Sequence, residues 1–346
     1  MVNIADVARE ANVSVATVSR VINSIGIVKP ETEYKVREAI KKLSYVPNLS
    51  ARNLRKNESR IILILTPNFS NPYYSKVLSG ICDISRDLGY STLIYNTYDS
   101  KALDEQLLVK LFRSNRADGM ITLACNMDDR WLEKYRGRYA IVQCSEYVEG
   151  LEMPHISVDN RKSAHDCVSH LVALGHRRIG IIGSTNKYMS SAMRMKGYCD
   201  ALEDAGIGCD ERYVAYGDAE YSFASGRAAA RRLLTQKDPP TALFCISDIL
   251  ALGAVAEARE MGLQVPRDLS VTGFDDVDYT TMFHPMLTTI AVPCYDLGRQ
   301  SMLLLHKHIQ KQLGAETHVY LRHQLVVRES AASRAEATIS KQSEGE

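Results

Sequence analysis

At 346 residues, with 45% apolar and 24% charged side chains, the chain is long enough for more than one domain and apolar enough to bury large cores, which excludes a disordered protein. The formal net charge of +1 hides an asymmetry: residues 1–60 hold eleven Lys and Arg against six Asp and Glu, so the basic surface lies at the N-terminus and the remainder is acidic. The eight Cys are scattered without a Cys-x-x-Cys pair, which argues against zinc and against a disulfide framework, and no run approaches the roughly 18 apolar residues of a membrane span. A reducing cytoplasm is the expected location.

Residues 3–23 carry two short helical patterns broken at Asn12-Val13-Ser14. In the first, Ile4, Val7, Ala8 and Ala11 recur at spacings of three and four and form an apolar face. Ser14 is a good N-cap for the second, in which Val18, Val21 and Ile22 point inward. Its outward face presents Val15, Ala16, Thr17, Ser19 and Arg20, small, polar and basic groups suited to base edges and phosphates in a major groove. The pattern is a helix-turn-helix, and the expected partner is DNA. Pro30 starts a third helix with Val36, Ala39, Ile40 and Leu43 as its core face, and Tyr45-Val46-Pro47-Asn48-Leu49-Ser50-Ala51-Arg52-Asn53-Leu54-Arg55 follows.

From Arg60 the texture changes to short β-rich runs alternating with amphipathic helices. Ile61–Thr66, Ser91–Tyr95, Gly119–Leu123 and Tyr139–Gln143 read as buried strands of a parallel α/β sheet. Arg178–Ile182, Arg212–Ala215, Thr241–Ile246 and Leu269–Thr272 form a second set, with helices such as Met193–Ala205 and Ser225–Leu234 between them. Two such lobes in sequence imply a cleft, and ligands in open α/β sheets sit beyond the carboxyl ends of the strands.

The Asp-Val-Ala, Val-Ser-x-x-Thr-Val-Ser-Arg-Val-Ile-Asn and Tyr-x-Pro-Asn-x-x-Ala-Arg-x-Leu segments between Ile4 and Leu54 resemble the headpiece and hinge of the lactose/galactose/purine repressor family. The resemblance covers about residues 2–330. It implies an all-α headpiece (1–46), a hinge helix and linker (47–58), and an effector-binding and dimerisation domain (59–330) of periplasmic-binding-protein-like fold, with parallel sheets flanked by helices. Its lobes would run over 59–158 plus 288–320 and over 160–287 plus 321–330, with the strand near Thr288–Val292 returning to the first lobe. Residues 331–346 are polar and expected to be disordered.

The resemblance also assigns roles. Ser14, Val15, Ala16, Thr17, Ser19, Arg20 and Asn23 would contact DNA, joined by Asn48, Ala51, Arg52, Leu54 and Arg55 in the hinge, with Leu54 wedging into the central minor-groove step. Tyr73 and Tyr74 match effector-contact positions after the first strand; Ser190 and Arg194 lie on the segment that grips the ligand; Asp248 and Asp275 match two acidic strand ends, and Tyr221 a stacking aromatic. Asp276 is expected to orient its own loop. The chain departs from the family where several relatives place an Asp after the fourth strand, leaving Ser145 or Glu146 to take that place, and where Tyr188 stands for an arginine of the purine-binding relative. Both departures favour a sugar or sugar phosphate over a purine, with a nucleoside- or purine-responsive regulator, or a sugar-binding protein that does not bind DNA, as alternatives.

No Gly-x-Ser-x-Gly elbow, phosphate-binding Gly-x-x-x-x-Gly-Lys loop or His-Glu-x-x-His site is present, so neither catalysis nor a cofactor is expected. The expected assembly is a homodimer on an inverted-repeat operator, because the last sixteen residues lack a leucine heptad seam that would build a tetramer. No protein co-regulator is assigned.

Overall fold

The computed structural model describes residues 2–23, 25–45, 58–97, 110–112, 116–123, 125–126 and 130–334. The chain divides into two compact units, Met1–Ser59 and Arg60–Glu346. The hinge candidates Asn48, Ala51, Arg52, Leu54 and Arg55 lie outside the described residues.

In the first unit, helix α1 (Ile4–Glu10) starts on a capping box: Asn3 Oδ1 accepts from Ala5 N and Asp6 N, and Asp6 Oδ2 accepts from Asn3 N. The chain reverses at Asn12, whose φ of 52° is one that Asn tolerates well. Ser14 then caps α2 (Val15–Asn23), its Oγ accepting from Thr17 N at 3.1 Å. Pro30 opens α3 (Pro30–Lys42), where its missing N–H costs nothing. Val7, Val18 and Val36, one from each helix, are fully buried at the common core, with Ala8, Ala11, Val21 and Ala39 around them.

The second unit is built from two six-stranded sheets. The first contains β1 (Ile61–Thr66), β2 (Ser91–Asn96), β3 (Gly119–Thr122), β4 (Ala140–Cys144), β5 (His155–Val158) and β11 (His318–Leu321), in the order β11-β5-β4-β3-β1-β2 and all parallel. The second contains β6 (Ile179–Ser184), β7 (Val214–Gly217), β8 (Ala242–Cys245), β9 (Ser270–Asp275), β10 (Thr288–Ala291) and β12 (Gln324–Val326), in the order β12-β10-β9-β8-β6-β7. Among the described strands, β12 alone runs antiparallel, against β10. Helix α4 (Pro72–Asp87) covers the first sheet; α5 (Asn160–Ala173), α6 (Met189–Asp204), α7 (Phe223–Leu234) and α8 (Asp248–Glu260) belong to the second. No helix among the described residues is long and apolar enough to cross a membrane.

Three expectations change. The strand at Thr288–Ala291 stays in the second sheet, pairing with β9 in the register Thr289↔Gly273, so the chain returns to the first lobe only at Val292–Pro293, where α9 (Cys294–Ile309) begins. A buried apolar run carries no label for the sheet it will join; here Thr289 Oγ1, which donates to Asp248 Oδ1 at 2.5 Å, anchors it to the second lobe. Of the polar tail, residues 331–334 are described and held: Ala332 N donates to Ser270 Oγ, Ala332 O lies 3.2 Å from His176 Nε2, and Arg334 N donates to Leu174 O at 2.9 Å; residues 335–346 lie outside the described residues. Finally, Cys199 and Cys209 form a disulfide, because the chain leaving α6 folds back against that helix; the other six Cys are free, five of them buried.

The crossing of α4 and α9 positions the first lobe. Gly80 and Gly298 let the backbones touch: a Cβ on Gly298 would meet Val77 O, and one on Gly80 would meet Tyr295 O. Gly298→Val should therefore destabilise the protein by at least about 2 kcal/mol, read as a thermal midpoint several degrees lower. An unchanged midpoint would show that the helices can part without cost.

Candidate functional site

The first unit offers an outward helix face. On α2, Val18 and Val21 are buried while Val15, Ala16 and Arg20 are exposed, and Ser14 is exposed just before it. Thr17 and Ser19 are half-buried. Asn23 is turned back on its own helix, Nδ2 donating to Ser19 O at 2.7 Å, and Thr17 Oγ1 lies 2.9 Å from Ser14 Oγ. A short apolar pair followed by an arginine with no ion-pair partner among the described residues is a surface that can meet thymine methyls and a base or phosphate.

In the second unit, the carboxyl ends of strands from both sheets meet at a polar crevice, lined by Asn71, Tyr73, Tyr74 and Glu146 from the first lobe and by Ser190, Arg194, Tyr221, Ser247 and Asp275 from the second. Arg194 is its centre. The side chain is only 8% exposed; Nε donates to Asn160 Oδ1 at 2.9 Å, Nη1 donates to Ile246 O at 2.6 Å, and Nη1 lies 3.7 Å from Asp275 Oδ1. Its guanidinium also sits 3.7 Å over the Phe274 ring. A buried guanidinium needs such a set of partners, since removing its water otherwise costs several kcal/mol.

Two buried carboxylates face this cation. Burial pushes Asp275 up to about 7, with Arg194 pulling down and Glu146 pushing up. Glu146 is likewise raised by burial, against the hydrogen bonds it accepts from Ser190 N at 3.1 Å and Ser190 Oγ at 2.5 Å. These two bonds join the lobes directly across the crevice. Outside it, Lys76 Nζ reaches Asp278 Oδ1 at 2.7 Å and donates to Asp276 O at 3.3 Å, a second tie between the lobes. The space left is about 20 Å³, room for about one water.

Residues 3–48 match the family described as "Bacterial regulatory proteins, lacI family", and residues 168–331 match "Periplasmic binding protein-like domain". The HTH-type transcriptional repressor CytR of Escherichia coli strain K12 is 38% identical over 308 residues, covering 89% of this chain and 89% of the relative. The chain belongs to the lacI family of bacterial regulatory proteins. It is a DNA-binding transcriptional regulator, not an enzyme. Among solved structures, the Lac repressor dimer bound to operator and the anti-inducer ONPF is 28% identical with a TM-score of 0.87, over 96% of this chain and 99% of that one. The transcriptional regulator CelR in complex with cellobiose is 28% identical with a TM-score of 0.73, over 96% and 100%.

Within this lacI-family fold, Tyr73, Tyr74, Ser190, Arg194, Tyr221 and Asp275 come together around the crevice. Tyr188 lies beside it, forming with Tyr74 and Tyr221 an adjoining slot. Two candidates fall elsewhere. Asp248 is fully buried beneath the site, its oxygens accepting from Thr289 Oγ1 and Val277 N, and it does not line the crevice. Ser145 is spent on Tyr73, Oγ to Oη at 2.5 Å, so Glu146 takes the acidic place. Asp276 orients its loop as expected, Oδ1 accepting from Arg328 Nη2 at 2.7 Å and Thr280 Oγ1 at 3.2 Å. Asn71, Asn160 and Ser247 were missed, although each stands at a helix start directly after a strand or its turn, where a polar side chain borders a ligand cleft.

The Asp275 shift has a measurable consequence. The unfolded carboxyl loses its proton near the usual value of about 3.9, whereas the folded one keeps it to about 7. Between those values the folded state binds the extra proton, so stability falls as pH rises, by at most about 1.4 kcal/mol per unit. Asp275→Asn should flatten the fall in unfolding free energy between pH 4 and 7. A variant curve parallel to wild type would refute the shift.

Proposed function

We propose that this chain is a dimeric repressor of carbohydrate-utilisation genes that reads an inverted-repeat operator and responds to a sugar held in the crevice. The observation that supports the ligand class best is the charge pattern: one arginine, Arg194, faces Glu146 and Asp275 in a buried site. The Arg194 Nη2 donors beside the oxygens of two acidic side chains suit vicinal hydroxyls, while two acidic groups against one arginine disfavour a phosphate dianion. The cellobiose bound by CelR is in keeping with a sugar. A nucleoside is the second reading, favoured by the slot between Tyr74, Tyr188 and Tyr221, which could take a flat base beside a ribose.

With room for about one water, a sugar enters only if the lobes or their side chains part, and the Glu146–Ser190 bonds are the first obstacle. Ligand binding is thereby linked to the angle between the lobes. Effector and operator must then change each other's affinity by the same factor. Thermal-shift titration of the full chain with neutral sugars, sugar phosphates and nucleosides tests the class. Stabilisation by a neutral sugar, lost in Arg194→Ala, is expected; stabilisation by sugar phosphates alone would overturn the reading.

On the DNA side, Ser14, Val15, Ala16, Thr17, Ser19, Arg20 and Asn23 are proposed as headpiece contacts, and Asn48, Ala51, Arg52, Leu54 and Arg55 as hinge contacts. Selection from random DNA should return an inverted repeat with A/T-rich arms about a central C-G step. Replacing Val15 and Ala16 should alter the preferred bases, each lost contact costing about 1–3 kcal/mol of discrimination. Absence of a palindrome would remove the dimer reading, and an unchanged preference would remove the residue assignment. Leu54→Ala should weaken operator binding in gel shifts while leaving sugar binding intact.

A further inference from the structure

At the opposite edge of the second sheet from the crevice, where β6 and β7 begin, lies a larger depression of about 350 Å³. That volume falls within the range of about 300–1,000 Å³ typical of small-molecule sites. Its apolar part is made by Ile179, Leu202 and Ile207, and Arg177, Arg178 and Arg212 stand around it.

The three arginines are not equivalent. Arg212 is committed to Asp210, with Nε and Nη2 both donating to the carboxylate at 2.9 and 2.6 Å. Arg177 donates once, to Ala205 O at 3.4 Å, and Arg178 once, from Nε to Pro239 O at 3.0 Å. Neither has an ion-pair partner among the described residues, and Asp238 is the lining carboxylate outside the Arg212–Asp210 pair. Two adjacent guanidinium groups therefore keep most of their N–H donors beside an apolar floor.

The walls are held in place. The Cys199–Cys209 disulfide ties the loop carrying Gly208 and Asp210 to α6. Tyr213 Oη donates to Asp238 O at 3.1 Å, Gln236 Nε2 to Arg212 O at 2.6 Å, and Tyr198 Oη beneath the floor to Ile179 O at 2.7 Å. Surface arginines on a mobile rim lose binding energy to ordering, which a fixed wall avoids.

From this arrangement we infer that the second lobe carries a second ligand site, separate from the sugar crevice, for a small organic acid with an oxyanion head and an apolar body. The head, carboxylate or phosphate, is held by Arg177 and Arg178 through fork-shaped, charge-assisted hydrogen bonds. The body lies on the half-buried Ile207 and Tyr213, with the buried Ile179 and Leu202 behind them. Asp238 limits the net charge accepted and disfavours polyanions.

Calorimetric titration of the full chain with benzoate, phenyl phosphate and benzyl alcohol tests this, since the three share a ring and differ in the head. At least one anion should bind, and benzyl alcohol should bind at least about tenfold more weakly, the order of one charged hydrogen bond. Binding of only one anion supports the site and identifies its head group. Arg177→Gln and Arg178→Gln, both at exposed positions, should each weaken the anion several-fold, while Arg232→Gln, an exposed arginine outside the depression, leaves it unchanged. No binding by either anion, equal binding of benzyl alcohol, or an equal loss in Arg232→Gln would each overturn the inference.

Discussion

The second unit is organised around the cost of burying Arg194. A guanidinium withdrawn from water must find partners in fixed directions, and here they come from four places: Asn160 at the start of α5, Ile246 O beyond β8, Phe274 within β9 and Asp275 at the end of that strand. Satisfying this one cation fixes the carboxyl edge of the second sheet. Asp275 pays with a left-handed φ of 116°, a conformation that L side chains rarely adopt and that surrounding structure has to hold. Beneath it, Asp248 holds Val277 N and Thr289 Oγ1, so the loop after β9 and the strand β10 depend on a second buried carboxylate.

This dependence explains which parts of the site were legible in sequence. Arg194, within α6, and Asp275, at a strand end, could be placed because the motifs around them keep the spacing of the family they resemble. Asp248 has the same residue type at the same kind of position, yet it faces down into the lobe. The choice between an upward and a downward carboxylate is made by Thr289, forty-one positions away in the chain, which local spacing cannot reveal. The choice between Ser145 and Glu146 was open for the same reason: Tyr73, on another element, consumes the serine hydroxyl.

The helix-turn-helix was legible because its core is local. Val7, Val18 and Val36 meet within one short unit, and the stripe of each helix points to its neighbours. Most strands of the second unit were also readable from their apolar runs. What periodicity could not supply was membership: β5 is short and begins with His155, β10 resembles any buried strand, and β11 alternates exposed and half-buried residues at a sheet edge. These segments lie at or near the places where the chain crosses between lobes, and their partners are set by the crossings.

The two ties between the lobes differ in kind. Glu146 meets Ser190 inside the crevice with its carboxylate buried and its pKa raised, so this contact competes directly with any ligand hydroxyl that reaches for the same oxygens. Lys76 and Asp278 meet outside, where both are partly solvated and the pair contributes about 1 kcal/mol or less. The inner tie is therefore the one a ligand must replace, and the outer tie can persist or re-form at little cost. The segment 276–278 follows directly on Asp275, so one short loop carries both the strained residue of the crevice and the anchor of Lys76.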